Sequence, residues 1–357
     1  MIERRPFGTT PDGAEATRFV LEAGRVRASV SDFGATLLAL ELPDRDGALA
    51  DVLLGFDSVE GYAGENPAFF GGTVGPVANR TDRAEVPLSG VTYRLPGNDG
   101  PDGRNNNHTS SEHGLHKRLW DAEADEAANA VRLTCRLADG ELGLPGGRTF
   151  HATYALGEKD GAVELRVTYR CETDAPTYVN ITNHSYFNLA GNGSGDVLDQ
   201  VVQVDAERFL PVREDSVPTG EVADVAGTPF DFRRPKALGA DIDADDEQLR
   251  RGRGYDHCLC VRGYVPGGLP RRALLAHDPA SGRRLEVLLT TPAAHLYTGN
   301  WLGDKGAKGG FDYAPRSGFA FEPEFYPDAI HHPEWPQPVC DPGSPWESTI
   351  VYRLSTT

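Results

Sequence analysis

Strict alternation of apolar and polar residues recurs along this chain and limits what it can fold into. Val26, Ala28 and Val30 alternate with polar neighbours before a Phe33-Gly34-Ala35 break. Val131, Leu133, Cys135 and Leu137 alternate with Arg132, Thr134 and Arg136, and Val163, Leu165, Val167 and Tyr169 with Glu164, Arg166 and Thr168. Leu285, Val287 and Leu289 follow, then Ile350-Val351-Tyr352-Arg353-Leu354. A period of two sends successive side chains to opposite faces, so one apolar and one polar face predict half-buried antiparallel strands. Helical periodicity is scarce, and short helices are expected only near 57–62 and 242–250. Turn residues are plentiful, with 41 Gly and 26 Pro spread evenly, which supports an all-β chain.

The 357 residues allow two or three units of roughly 150 residues, or one wide β domain. No linker, tandem repeat or low-complexity tract divides them. Charge decides more. The chain carries 53 acidic and 35 basic side chains, a formal charge of −18. Nucleic-acid recognition needs basic clusters facing phosphate, and anionic membranes attract polybasic stretches, so neither partner is expected. No apolar run approaches the ~20 residues of a membrane helix, and no signal peptide is visible behind Met1-Ile2-Glu3-Arg4-Arg5-Pro6. Cys135, Cys171, Cys258, Cys260 and Cys340 are odd in number and form no CxxC pair. Unpaired structural thiols in a reducing cytoplasm are expected.

Cofactor and metal motifs are missing. There is no GxxxxGK[ST] and no HExxH, and neither Gly252-x-Gly254 nor Gly72 with Gly75 completes GxGxxG. The run Asp241 to Asp246 lacks the Gly and Glu of a calcium loop and reads as a solvated face. His331-His332 with Glu334 is a poor metal set, because adjacent His side chains rarely reach one ion.

Three stretches invite chemistry. Pro96 to Asn107 is a long polar loop, either a solvated excursion or functional. Asn180 to Gly191 mixes three Asn, a His, a Ser and a Tyr into apolar surroundings. On one strand, Thr182, His184 and Tyr186 would share a face. His184 is either a proton donor near neutral pH or a core His satisfied by a carbonyl. Gly318 to Asp328 embeds Glu322 among aromatics just before Pro323, which favours extended backbone. A carboxylate there is paired or functional.

These segments carry a resemblance. TNHSYFNLAG (182–191) resembles a signature of the aldose 1-epimerases, also called galactose mutarotases. Phe33-Gly34-Ala35 with Pro43-Asp44-Arg45, DVLLGFDSVEGY (51–62) and FFGGTVGPVANR (69–80) resemble the family's N-terminal segments. Pro218-Thr219-Gly220-Glu221, Gly227 to Asp231, Tyr255-Asp256-His257, Leu296 to Asn300 and EPEFYPDAIHHPEW (322–335) continue the series in order. The resemblance implies one domain over 1–357. It would be a large antiparallel β-sandwich of the galactose-mutarotase type with few short helices and a sugar site on a concave sheet face.

It also implies a reaction, the interconversion of α and β anomers of a free aldohexose through ring opening, with no cofactor or metal. Glu322 matches the general base that takes the C1 hydroxyl proton, and His184 the acid that protonates the ring oxygen. A nearby carboxylate is expected to raise the pKa of His184. Arg80, Asn79, Asp256 and the first family His match sugar-binding positions. That His falls at His108, with His113 the weaker candidate. The partner is a monosaccharide, and the chain is a monomer or homodimer. Three positions depart from the family. Pro76 stands where Arg is usual, and His295 and Glu324 where Gln is usual; the last two are counted with the sugar site. A hexose-6-phosphate epimerase, or a non-catalytic sugar-binding protein on the same fold, are the competing readings.

Overall fold

Alternation becomes structure most plainly in the strand Ala162–Thr173. Leu165, Val167, Tyr169 and Cys171 are buried on one face, while Arg166, Thr168 and Arg170 are half-buried on the other. The structure, a computed structural model, describes residues 1–357. This strand belongs to a nine-stranded antiparallel sheet. Asp121–Asp125, Ala130–Leu137 and Arg148–Lys159 lie on one side of it. On the other side come Trp346–Thr356, then Arg283–Leu289, Arg271–His277, Val201–Val204 and Lys236–Ala237. The last long strand in sequence is therefore central in the sheet.

Two further sheets cover its apolar face. An N-terminal meander of five strands, Glu3–Thr9 to Leu49–Asp51, contributes Leu21, Val30 and Leu40. A six-stranded sheet contributes Leu259, Leu296 and Phe321. All of these join Leu133, Leu165, Val287 and Tyr352 of the large sheet in one continuous core, which is sheet-on-sheet packing. The six-stranded sheet runs in the order Tyr186–Phe187, Phe319–Glu324, Ala293–Tyr297, Asp256–Val261, Ala206–Phe209, Ala223–Asp224.

Two short α-helices form, Val59–Ala63 and Glu247–Gly252, close to both expected places. The acidic run serves the second of them. The Asp246 side chain caps it by accepting from Gln248 N and Leu249 N, while Asp243 pairs with Arg316 and Asp241 with Lys236. No helix is long and apolar enough to cross a membrane.

Candidate active site

The six-stranded sheet divides its side chains by function. In Phe319–Glu324, Phe319 and Phe321 enter the core, so Ala320, Glu322 and Glu324 face the opposite way. In Ala293–Tyr297, Ala294 and Leu296 enter the core, leaving His295 and Tyr297 on the other face. His295 is the direct cross-strand partner of Glu322, and Asp256 that of Tyr297. Register thus gathers groups that are far apart in sequence.

His184 arrives by another route. The single strand expected over 182–186 is interrupted: Thr182–Asn183 and Tyr186–Phe187 pair with different partners, and His184 lies between them. Its N–H donates to Gly72 O at 3.0 Å, and its carbonyl accepts from Gly71 N at 2.9 Å. Gly71 has φ +61, and a Cβ there would lie 2.1 Å from Leu37 O, so only glycine permits this approach. The asparagines around His184 hold backbone. Asn183 donates to Gly71 O at 2.9 Å and accepts from Ser185 Oγ and Tyr352 Oη. Asn180 accepts from Phe325 N at 2.9 Å, fixing the end of the Glu322 strand. Asn188 donates to Ser317 O at 2.9 Å. Of the polar cluster, only His184 and Tyr186 reach the cleft.

That cleft, about 260 Å³, is lined by every expected site residue except Glu324. Glu324 is fully buried behind the wall, where its Oε1 accepts from Asn79 Nδ2 at 3.1 Å and lies 3.5 Å from His295 Nδ1. Alone among the expected residues, it does not line the cleft. The two unusual residues, His295 and Glu324, therefore touch each other. Pro76 does not line the cleft; its carbonyl accepts from Asn180 N at 2.8 Å. His108 is on the wall, whereas the His113 side chain is exposed beside Glu112.

His184 Nε2 stands 3.4 Å from Glu322 Oε2. The imidazole is stacked between Phe69 and Tyr186, with centroids at 5.8 and 5.1 Å. The His108 ring is 5.3 Å away, and its Nδ1 accepts from Asn79 N at 3.1 Å, which leaves the ring proton on Nε2. Phe69, Asn79 and His108 all have positive φ, between 55 and 61°. Non-glycine residues rarely adopt that backbone, and such strain gathers at functional sites.

Burial dominates the electrostatics. It pushes the Glu322 carboxyl well above its ordinary value, with His295 and Arg80 pulling it back and Glu324 and Asp256 pushing it further. It lowers His184 to about 3, against the rise expected from a neighbouring carboxylate. Burial of the ring outweighs the raising effect of Asp256. Neither Glu322 Oε2 nor His184 Nδ1 has a hydrogen-bond partner in the protein. Burial also opposes charge on His295, but Asp256 at 2.7 Å and Glu324 outweigh it and raise the ring to about 10. The Asn79 amide nitrogen, 3.0 Å from Nδ1, suits only an unprotonated ring. Two carboxylates against one amide favour the cation. Asp256, bonded to that ring, overcomes its own burial and falls to about 2.

Phe69, Tyr186, Tyr297 and Trp301 also line the cleft and escape a search for titratable motifs. Arg80, beside them, donates to Asp99 at 3.0 Å, so the 96–107 loop braces the cleft rim. No group of three or more His, Cys, Asp or Glu side chains is arranged to hold a metal ion.

A family model described as aldose 1-epimerase matches residues 17–353. Galactose mutarotase of Bos taurus is 39% identical over 356 residues, covering 99% of this chain and 98% of that protein. Aldose 1-epimerase of Escherichia coli (strain K12) is 36% identical over 360 residues, covering 99% of each. Among solved structures, an aldose epimerase homologue from C. elegans superposes with a TM-score of 0.85 at 28% identity, covering 96% of this chain and 99% of that one. Galactose 1-epimerase from Lactobacillus acidophilus NCFM gives 0.83 at 27%, covering 100% and 99%.

Proposed function

Because the chain belongs to the aldose 1-epimerase family, we propose that it interconverts the α and β anomers of a free aldose, with Glu322 and His184 as the acid–base pair. The observation that carries this is the pair itself: two buried titratable groups, 3.4 Å apart on a cleft wall. Catalysis needs Glu322 as a carboxylate and His184 as an imidazolium, the pair that a proton passing from the carboxyl to Nε2 produces. The flanking faces of Phe69 and Tyr186 favour the cation, and His295 and Arg80 favour the carboxylate.

Glu322 then takes the C1 hydroxyl proton as the bond from C1 to the ring oxygen breaks, and His184 delivers its proton to that oxygen. The products are the open aldehyde, a neutral imidazole and a protonated carboxyl. Rotation about C1–C2 and the reverse transfers close the ring as the other anomer. Each positioned transfer contributes about 10²–10⁴-fold. Asp256 and the Asn79 carbonyl oxygen accept from sugar hydroxyls, Arg80 donates to them and His108 offers its Nε2 proton, while His295, with Nε2 on Asp256 and Nδ1 facing Glu324 and Asn79, holds Asp256 in place. The continuous core supports reading 1–357 as one domain.

Polarimetry on freshly dissolved α-glucose, α-galactose, xylose and arabinose tests the proposal, with the hexose 6-phosphates run in parallel. Faster approach to equilibrium rotation for a free sugar is expected. Tight binding with no rate above the spontaneous one would defeat the enzyme reading, and acceleration confined to 6-phosphates would defeat the neutral-sugar reading.

A further inference from the structure

Trp301 breaks a rule the other tryptophans keep. It is 59% exposed, while Trp120, Trp335 and Trp346 are 3%, 6% and 6% exposed. It also lines the cleft. Its position is fixed from several sides. Its N–H donates to Tyr297 Oη at 3.0 Å. The preceding Asn300 donates to Gly252 O at 2.9 Å and Tyr255 O at 3.0 Å, and accepts from Thr298 Oγ1 at 2.7 Å. Gly254 fits closely under Asn300, where a Cβ would lie 2.6 Å from its Oδ1. These bonds key the tryptophan loop to the turn that bears Arg253. The Arg253 guanidinium carbon lies 3.8 Å from the Trp301 ring centroid, and no carboxylate pairs with that guanidinium.

We infer that Trp301 is the stacking platform for the pyranose ring, a binding and specificity residue braced by Arg253. The inference rests on the sugar reading above. A pyranose presents hydroxyls at its rim and C–H bonds on its faces. Those C–H bonds are weakly positive and suit the negative face of an indole. The charged wall of Asp256, Arg80 and His295 serves the hydroxyl rim, and nothing polar on it suits a C–H face. Arg253 covers one face of the indole and holds its plane, so the ring meets the sugar already ordered, with little conformational freedom left to lose. An axial hydroxyl on the stacked side would lift the sugar away, so the platform sorts aldoses by that face.

The test uses the full-length protein and whichever of glucose or galactose it anomerises faster. Only Trp301 is open to acrylamide, so sugar should protect the exposed tryptophan from quenching in the wild type. Trp301→Ala should raise KM by about tenfold or more with kcat changed less than twofold. Trp301→Phe should stay within about threefold of wild type, and Arg253→Gln should fall between the two. Unchanged quenching at saturating sugar, or a Trp301→Ala KM within twofold of wild type, would overturn the platform. A wild-type protein that neither binds nor anomerises any sugar would instead overturn the function on which it rests.

Discussion

The nine-stranded and six-stranded sheets share one core yet treat their outer faces differently. In the large sheet the outer face is polar and wet: Arg166, Thr168 and Arg170 are only half-buried. In the smaller one every residue of Phe319–Glu324 is buried, and the face turned from the core carries a carboxyl whose pKa burial raises well above its ordinary value. An ordinary sheet face can place groups. A sheet face buried on both sides also sets their protonation, because desolvation penalises whichever form is charged. The first sheet is scaffold and the second is instrument.

The sharpest way to break that contrast is to change one residue in each. Glu322→Gln keeps shape and removes the proton acceptor, so kcat should fall by about 10²–10⁴-fold with no loss of thermal stability; a loss below tenfold would remove Glu322 from the base role. Leu165→Ala in the large sheet should do the reverse. It should cost about 2–5 kcal/mol in denaturant unfolding and leave kcat/KM of the folded fraction unchanged. A fall in kcat/KM with modest destabilisation would show that the scaffold tunes the site.

A smaller effect tests the pairing of the two unusual residues. His295→Gln removes the cation beside the buried Glu324, leaving it the Asn79 amide alone, and should cost about 1–3 kcal/mol. Adding Glu324→Gln should restore at least half of that loss, and strict additivity of the two changes would disprove the coupling.

A last effect is on pH. His295 is raised from 6.5 to about 10 on folding. It therefore adds stability in full below pH 6.5 and loses it as pH climbs through 10. Asp256 is lowered from 3.8 to about 2. Its contribution is complete above pH 3.8 and fades as pH falls through 2. The melting temperature should decline between pH 6.5 and 10, and His295→Gln should flatten that decline. A wild-type curve already flat there would contradict the charged ring.

How much of this was legible in sequence follows the same division. Where one strand face meets water, as at Val163 to Tyr169, a period of two shows in the letters and the strand can be read directly. Phe319 to Glu324 shows no such clean contrast, since both faces are buried. Its Glu322 stands out only as a charge in apolar company. Residue context raises His184 as either a proton donor or a core His; resemblance chooses between the two and adds Asp256 and Arg80. The aromatic wall was not legible, because a Phe, Tyr or Trp in an apolar stretch reads as core, and only the fold shows Trp301 outside it. Nor could sequence separate His184 from Asn180, Asn183 and Asn188, whose work is to hold turns. In sequence Glu324 counts with the sugar site because it stands where the family usually has Gln; in the fold its Oε1 meets Asn79 and His295, and it does not line the cleft.

The central place of Trp346–Thr356 in the large sheet has a consequence for synthesis. Ala162–Thr173 and Arg283–Leu289 both pair with it, so until residue 356 has left the ribosome each of those strands keeps a bare hydrogen-bonding edge. The two halves of the sheet can form but cannot join. A nascent chain in that state carries two long apolar strands ready to pair with a neighbour's. Release from the ribosome shortly before residue 346 should yield aggregate, and release just after residue 356 should yield folded protein.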